Sequence, residues 1–517
     1  MKGMKKKFFA AALFLMAALV FAKSTPIKNL YQWTLPNGLK LFVAENHAVP
    51  LTYIEIAVKC GAFTQEEDTA GLFHLYEHMM FKGNGLYKDA VSVQRALSDM
   101  GVASWNGTTG VECVNYFFTV PSDQIEKGLE FWNAAIRFPL LNEKELENEK
   151  KVVVSEIQGN LSDTASLYRF AYQSTLFGDA PYKMDPGGSI DSINGATVQK
   201  LREIQSKYYV PNNAALFIGG DVNPKEVYKL VKKIYGSWKK AKNPFAKGLY
   251  RHDQNPMKDK VRYVLPYNQI SKDWAQVQVN YRGPDAAFQR HDTFVADGLI
   301  SLCRNPKARF MKNVCEDKTL DVPDTDYVGF SCPTYRQCGS FSFSVMLPDP
   351  TKDLVMRTEY FLDHLDDWIL DCAKNTKVER QVTVRQLTDS RAYETETASG
   401  LLNALRYYWI CADEFYYYDY INEMGVISNY DLVNFANKYI VDKGAFVLLL
   451  VNPECYAKYK DDFDKAGYKE IRFEDVVWFS MKSKSDAENR PQENGSSENG
   501  SSENGSSESA QLQEAGK

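Results

Sequence analysis

GLFHLYEHMMF, residues 71–81, contains two of the six histidines in a chain of 517 residues. His74 and His78 are four positions apart, and Glu77 directly precedes His78. Side chains three and four positions apart share one face of a helix, so a helix here brings all three into one small volume. Two imidazoles and a carboxylate match zinc best and leave a fourth position for water. The sequence therefore predicts a zinc site whose third protein ligand comes from elsewhere in the first half.

The order of the residues in this motif indicates the chemistry. His-x-x-Glu-His is the inverted form of the zinc-peptidase motif, with the glutamate beside the second histidine. Zinc lowers the pKa of its bound water to about 7, and a nearby carboxylate takes the proton as that water attacks a peptide carbonyl. We interpret Glu77 as this general base. The alternative is a surface helix with two incidental histidines.

Strands are predicted before the motif. Residues 33–43 form two β-prone runs around Pro-Asn-Gly at 36–38, which is typical of a hairpin because Asn-Gly tolerates positive φ. Residues 51–60 alternate in polarity, with Ile54, Ile56 and Val58 on one face. This alternation predicts a half-buried strand.

A strand and a long helix are predicted after the motif. Residues 111–120 form the strand, and residues 104–107 lead into it. The helix begins at Asn142, which can cap it, and it continues without Gly or Pro for about seventeen residues. Glu149 and Glu156 are seven positions apart on this helix. Seven positions make two turns, so these two carboxylates share a face.

The second half of the chain weakly repeats the first. Residues 277–283 resemble 54–61, and residues 445–453 resemble 214–224, at offsets of about 222 to 231 positions. We therefore expect the second half to share the fold and to lack the metal ligands. Its residues at the positions of His74, Glu77, His78 and Glu156 are Ala296, Leu299, Ile300 and Gln386.

Five segments are predicted along the chain. Residues 1–22 are typical of a secretory signal, because lysines precede an apolar run that ends in Val-Phe-Ala. A catalytic domain at 23–240, a linker at 241–260 and a second domain at 261–480 follow. Residues 481–517 are a polar, repetitive tail that cannot bury enough surface to fold. The protein is thus expected to be exported, periplasmic or secreted, with no membrane span after signal removal.

The composition excludes other classes of protein. The chain is 44% hydrophobic and 25% charged with a net charge of -5, which gives no electrostatic reason to bind nucleic acid. The nine cysteines contain no Cys-x-x-Cys pair and do not predict a metal cluster. In an exported protein some of them could pair, Cys332 and Cys338 being closest in sequence, and the connectivity is left open.

Several motifs resemble the pitrilysin/insulinase family of metallopeptidases, the inverted zincins. The resemblance is to the short two-domain type, similar to mitochondrial processing peptidase and bacterial processing proteases. It covers most of residues 30–235. The matching motifs are Thr34-Leu35-Pro36-Asn37-Gly38, His74-Leu75-Tyr76-Glu77-His78, Phe81-Lys82-Gly83, the helix with Glu149 and Glu156, and Tyr208 to Asn213.

The resemblance implies a role for each matching residue. His74 and His78 correspond to the first two zinc ligands, and Glu77 corresponds to the general base. Glu156 corresponds to the distal zinc ligand, and Glu149 to an acid that supports the ligands from two turns earlier. Because the helix is rich in acids, Glu147 and Glu149 stay alternatives for the ligand. Asn106 and Tyr116 correspond to positions that hold the substrate backbone or to plain structural residues.

The second half departs from the family pattern. Similar enzymes have an arginine and, seven residues later, a tyrosine there to hold the substrate carbonyl. Cys315 stands at the arginine's place in this sequence, and Tyr327 follows after an apparent insertion. Tyr327 is the candidate for the tyrosine. A partner subunit is therefore an alternative source of this contact with the substrate.

The expected fold is α+β, with two homologous domains that each have an antiparallel sheet and helices mainly on one face. The resemblance implies that these halves face each other across a chamber. The first function hypothesis is a zinc endopeptidase with one Zn²⁺ per chain, acting on extended or unfolded peptides. The alternative is a non-catalytic or conditionally active subunit of a paired envelope complex. A homodimer or a heterodimer with a paralogous subunit is expected.

Overall fold

The computed structural model describes residues 23–178, 180–249, 251–252 and 255–479. The predicted signal at residues 1–22 and the predicted tail at 481–517 lie outside these described residues. Within them, no helix has both the length and the apolar character needed to cross a membrane.

The first half builds one sheet and most of the helices around it. Its strands are β1 Lys23–Ser24, β2 Leu30–Thr34, β3 Lys40–Glu45, β4 Leu51–Val58, β5 Trp105–Thr109, β6 Val114–Pro121 and β7 Ala214–Gly220. Its helices are α1 Leu72–Met80, α2 Ala90–Asp99, α3 Ile125–Arg137, α4 Glu143–Leu161, α5 Thr164–Phe177, α6 Ile190–Asn194, α7 Val198–Tyr208 and α8 Pro224–Tyr235.

The second half builds a second sheet after an irregular segment. Its strands are β8 Val261–Pro266, β9 Trp274–Arg282, β10 Val328–Ser331, β11 Ser340–Pro348, β12 Phe446–Val451 and β13 Lys469–Glu470. Its helices are α9 Arg290–Arg304, α10 Arg309–Cys315, α11 Leu354–Ala373, α12 Lys377–Glu394, α13 Ala398–Cys411, α14 Glu414–Val426, α15 Asn429–Tyr439, α16 Pro453–Lys465 and α17 Phe473–Val476.

The two sheets have the same central topology. The first has the order β1-β2-β3-β7-β4-β6-β5, and the second has the order β10-β11-β9-β12-β8-β13. The run β3-β7-β4-β6-β5 thus corresponds to β8-β12-β9-β11-β10. The chain is α+β with two similar domains, as the sequence repeat predicts. We propose the division at residues 241–260 as the domain boundary.

Each sheet is mostly antiparallel and contains a parallel part. β7 pairs antiparallel with β4 and parallel with β3. In the same way, β12 pairs antiparallel with β9 and parallel with β8, and β13 is also parallel to β8. The β3–β7 and β8–β12 pairs are parallel because the last long strand of each half returns and inserts between two strands that run in opposite directions.

One helix of each half crosses to the sheet of the other half. Leu401, Leu405 and Trp409 of α13 pack with Phe42 of β3 and Phe217 of β7. Reciprocally, α5 packs against β9 and β12 of the second sheet. Each sheet therefore has its own helices on one face and a helix from the other half on the opposite face.

This exchange corrects one expectation. Strand β4 is buried on both faces from Thr52 to Val58, so the prediction of a half-buried strand is wrong. Alternation in the sequence could not reveal that Tyr53 and Ala57 pack in the cluster that contains α13. The described parts of the two halves also contact each other directly through α5 and α13.

Polar contacts join the two halves as well. The carboxylate of Glu55, fully buried in β4, lies 2.8 Å from Arg406 Nε of α13. It also accepts hydrogen bonds from Tyr53 (2.9 Å) and Asn115 (2.6 Å). Buried carboxylates are strongly disfavoured without such partners, so this contact fixes how α13 sits on the first sheet.

A second carboxylate at the junction predicts a pH-dependent stability. Glu112 is buried and accepts hydrogen bonds from the hydroxyl of Tyr182 and from the backbone N–H of Arg336 (2.6 Å). Burial raises its pKa from 4.5 to about 7. The folded protein therefore holds this proton more tightly than the unfolded chain, and the stability that it contributes is lost as the pH rises from about 4.5 to about 7.

Glu112→Gln is expected to remove this loss. Relative to the parent, its free energy of unfolding should rise by up to about 3 kcal/mol between pH 4.5 and pH 8. Urea unfolding of both proteins at pH 5 and pH 8 measures the difference, with the exposed Glu66→Gln as the control. A difference that does not change with pH would contradict the assignment.

The cysteines do not form disulfides. All nine are free thiols, and seven of them are buried. Cys332 and Cys338, the nearest pair in sequence, are unpaired, so the sequence-based possibility of a bond between them is not realised in this structure.

Candidate metal centre

The motif residues lie on the short helix α1. It begins after Gly71, whose φ of 89° suits glycine and whose missing side chain allows the carbonyl of Gly187 to approach. Leu72, Leu75, Tyr76 and Met79 anchor the buried side of the helix. The remaining side carries the partly exposed motif residues His74, Glu77 and His78.

Helix α4 brings the distal glutamate to these histidines. Asn142 caps it, accepting hydrogen bonds from the N–H groups of Lys144 (2.9 Å) and Glu145 (3.3 Å). α4 packs against α1, and Glu156 Oε2 lies 3.8 Å from His74 Nε2 and 3.7 Å from His78 Nε2. The two histidine Nε2 atoms are 3.2 Å apart. Among the described residues, this is the one cluster of three His, Cys, Asp or Glu side chains able to hold a metal ion.

The geometry of these atoms fits zinc. Ligand atoms about 2.0–2.1 Å from a tetrahedral ion lie about 3.3 Å from one another, close to the separations found here. Burial, together with the neighbouring His78, lowers the pKa of His74 to about 4. The imidazole of His74 is therefore neutral at physiological pH, which is the form that binds metal.

Glu149 supports His78 from behind. Its Oε2 accepts a hydrogen bond from His78 Nδ1 at 3.0 Å, and its Oε1 lies 2.6 Å from Lys82 Nζ. The side chain of Glu149 is only 8% exposed. Because Nδ1 carries the proton in this contact, Nε2 of His78 is left with its lone pair facing His74 and Glu156. Glu149 therefore orients a ligand and does not itself join the cluster.

The side chain of Glu77 extends from α1 to the edge strand β5. Thr109 Oγ1 donates a hydrogen bond to Glu77 Oε2 at 2.7 Å. On the other side, a Cβ built on Gly107 would lie 2.8 Å from Glu77 Oε1, so the strand can pass this close only with glycine or after the carboxylate moves. Burial raises the pKa of Glu77 above its usual value.

The three predicted substrate contacts lie in different surroundings. Asn106 is exposed on β5, which among the described strands pairs only with β6 and forms an edge of the first sheet. Tyr116 is fully buried, with its hydroxyl 3.3 Å from that of Tyr209. Tyr116 therefore lies in the core, because on β6 its side chain points to the buried face, and its substrate contact stays a prediction.

Tyr327 is remote in sequence and lies at the edge of the second sheet. It immediately precedes the edge strand β10, and its ring stacks on Trp274 at a centroid distance of 4.5 Å. Cys315, at the predicted place of the arginine, is the half-buried last residue of α10. Within the described residues, no hydrogen bond, ion pair or ring contact joins either side chain to the metal cluster.

The second half repeats the helix pair of the site without its ligands. Ala296, Leu299 and Ile300 lie on α9 and are buried in the second core. Gln386 lies on α12 and accepts a hydrogen bond from Asn305 at 3.2 Å. The four positions that hold two imidazoles and two carboxylates in the first half therefore hold apolar or amide side chains here.

Three residues near the site have roles that the sequence motifs did not reveal. Lys82 lies in the quoted Phe-Lys-Gly motif, but its contact with Glu149 depends on how α1 and α4 pack. Gly107 ends the lead at residues 104–107 and Thr109 follows it, and the contacts of both residues with Glu77 depend on the register of β5. In the sequence, all three residues stand close to a motif, but nothing there indicates their chemical role.

Comparison with known proteins agrees with this arrangement. Residues 41–183 match the family model "Insulinase (Peptidase family M16)". Residues 195–382 match the model "Peptidase M16 inactive domain". This chain belongs to peptidase family M16. Its ligand cluster lies in the part that matches the first model, and the ligand-free helix α9 lies in the part that matches the second.

Individual relatives are distant. The zinc protease PqqE of Helicobacter pylori is 26% identical over 288 residues, which are 55% of this chain and 63% of that protein. The probable zinc protease PqqL of Haemophilus influenzae is 28% identical over 217 residues, which are 40% of this chain and 23% of that protein. This M16 chain thus matches less than two thirds of the length of either relative, and these relatives support a peptidase role.

Solved M16 structures share the fold. A protease from Helicobacter pylori superposes with a TM-score of 0.65 and 21% identity, covering 83% of this chain and all of that one. The periplasmic protease PqqL of Escherichia coli has a TM-score of 0.68 and 16% identity, covering 87% of this chain and 51% of that one.

Proposed function

We propose that this M16 chain is a zinc-dependent endopeptidase with one Zn²⁺ site in its first half. The observation that carries the proposal is the convergence of His74, His78 and Glu156 beside the carboxylate of Glu77. A metal-binding cluster with an adjacent base is the arrangement that peptide hydrolysis requires.

Each residue has a distinct role in this proposal. His74, His78 and Glu156 hold the ion, and Glu149 with Lys82 fixes the orientation of His78. When bound, zinc lowers the pKa of a coordinated water and polarises the scissile carbonyl. Glu77 accepts a proton from the attacking water and then donates it to the leaving amine nitrogen.

The edge strand β5 supports a preference for extended peptides. Its outer side is unpaired among the described strands, so its N–H and C=O groups can pair with the backbone of a substrate strand. Asn106 is exposed on this strand, and Thr109 of the same strand contacts Glu77. A substrate paired to β5 would therefore run past the base, and a folded protein cannot present such a strand.

A conditionally active subunit is the second candidate. It is favoured by the second half, where Cys315 replaces the expected arginine and the ring of Tyr327 is stacked on Trp274. In that case a second copy or a paralogous subunit supplies the missing contact to the substrate carbonyl. Tyr327 stays a proposed substrate contact under both candidates. We also propose export, to the periplasm or beyond, from the predicted signal at residues 1–22.

Cleavage by the chain purified alone tests the proposal. We expect hydrolysis of a fluorescence-quenched unstructured peptide, loss of activity with a zinc chelator, and recovery when zinc is restored. The same peptide sequence within a disulfide-stabilised folded protein is expected to resist cleavage. Chelator-insensitive hydrolysis would contradict the first candidate, and activity that appears only after addition of a partner subunit would favour the second.

A further inference from the structure

The two oxygens of the Glu77 carboxylate have different surroundings. Oε2 accepts the hydrogen bond from Thr109 Oγ1 at 2.7 Å. Oε1 lies beside Gly107, so close that a Cβ at that position would come within 2.8 Å of it. Strand β5 therefore contacts both oxygens, but only Oε2 is held by a donor from the strand.

Thr109 is suited to hold a carboxylate in one orientation. It is the last residue of β5, and its backbone is fixed by pairing with Val114 of β6. A β-branched side chain has few χ1 conformations, so the position of its hydroxyl follows closely from that of the strand. Glu77, in contrast, extends from a helix through three rotatable bonds and loses considerable freedom when its carboxylate is fixed.

We propose that Thr109 is a positioning residue for the general base. Its hydroxyl fixes Oε2 of Glu77 and so leaves Oε1 as the oxygen that accepts the proton from water. This inference rests on the proposed peptidase function and deepens it. The hydroxyl of Thr109 makes its contact with Glu77 and with none of the three predicted metal ligands, so its effect belongs to the chemical step.

The consequence is a specific kinetic signature. Loss of the hydroxyl leaves a carboxylate of the same charge in several orientations, of which a fraction reacts. We expect a lower kcat with unchanged KM and unchanged zinc content. A merely structural role would instead change stability or metal content together with activity.

The test compares Thr109→Val with Thr109→Ser. Valine keeps the shape of threonine and lacks the hydroxyl, whereas serine keeps the hydroxyl. Since hydrogen bonds to charged groups are the stronger ones, kcat of Thr109→Val should fall roughly 10- to 100-fold, and Thr109→Ser should recover to within a few-fold of the parent. Thr119→Val, at an exposed position of the neighbouring strand β6, is the matched control and should behave like the parent.

The possible failures are distinct. An active parent whose Thr109→Val variant has the same kcat would overturn this inference alone. So would a Thr109→Ser variant as slow as the valine variant, or a Thr109→Val variant that loses zinc. A parent that carries zinc and cleaves no peptide would overturn the proposed function and this inference together.

Discussion

Replacing Glu77 by glutamine is expected to abolish most peptide hydrolysis while leaving the metal in place. The amide has the shape of the carboxylate and can still accept a hydrogen bond from Thr109, but it cannot take a proton from water. Removal of a general base lowers rates by roughly 10²- to 10⁴-fold, so kcat/KM of Glu77→Gln should fall by about this factor. The side chain is not among the three clustered ligands, so about one zinc per chain should remain.

Steady-state cleavage of an unstructured peptide, with zinc counted in the same samples, measures both parts of this prediction. The exposed Glu66→Gln is a control for the loss of a carboxylate near α1. A Glu77→Gln variant that cleaves as fast as the parent would show that another group is the base. Loss of zinc from this variant would instead place Glu77 among the ligands.

Local patterns in the sequence predicted the parts of the site that depend on one element. His74, Glu77 and His78 share one side of α1 because helical spacing alone determines which side chains lie together. Asn142 caps α4 as its residue type and position suggest. The hairpin of β2 and β3 likewise follows from its Pro-Asn-Gly turn, and Thr34 pairs with Lys40 across it.

Contacts between distant elements were predicted only through the family resemblance or not at all. Spacing put Glu149 and Glu156 on one face of α4, but the packing of α4 on α1 decides that Glu156 faces both histidines while Glu149 meets His78 Nδ1 from behind. The contact of Thr109 with Glu77 depends on the pairing of β5 with β6, which sets the side to which each residue points.

The exchange of α5 and α13 explains why the burial of the sheets was underestimated. In the sequence alone, a polar residue between two apolar ones, as Glu55 between Ile54 and Ile56, is typical of a strand with one face in water. In the fold, Glu55 is fully buried because Arg406, about 350 positions later, neutralises it. Alternation of polar and apolar residues shows that one face of a strand is polar. It does not show whether that face is exposed, because a charged partner from a distant part of the chain allows it to be buried.

The most direct test of the proposed site is the identity of its third metal ligand. Zinc content of the purified parent, Glu156→Ala and Glu147→Ala proteins decides between two acids of the same helix. Glu147 is exposed and pairs with Lys150 at 2.6 Å, whereas Glu156 lies in the cluster with both histidines. We predict about one zinc per chain for the parent and for Glu147→Ala, and little or none for Glu156→Ala at the same free zinc concentration. Full zinc content in Glu156→Ala, or loss of zinc from Glu147→Ala, would contradict the site.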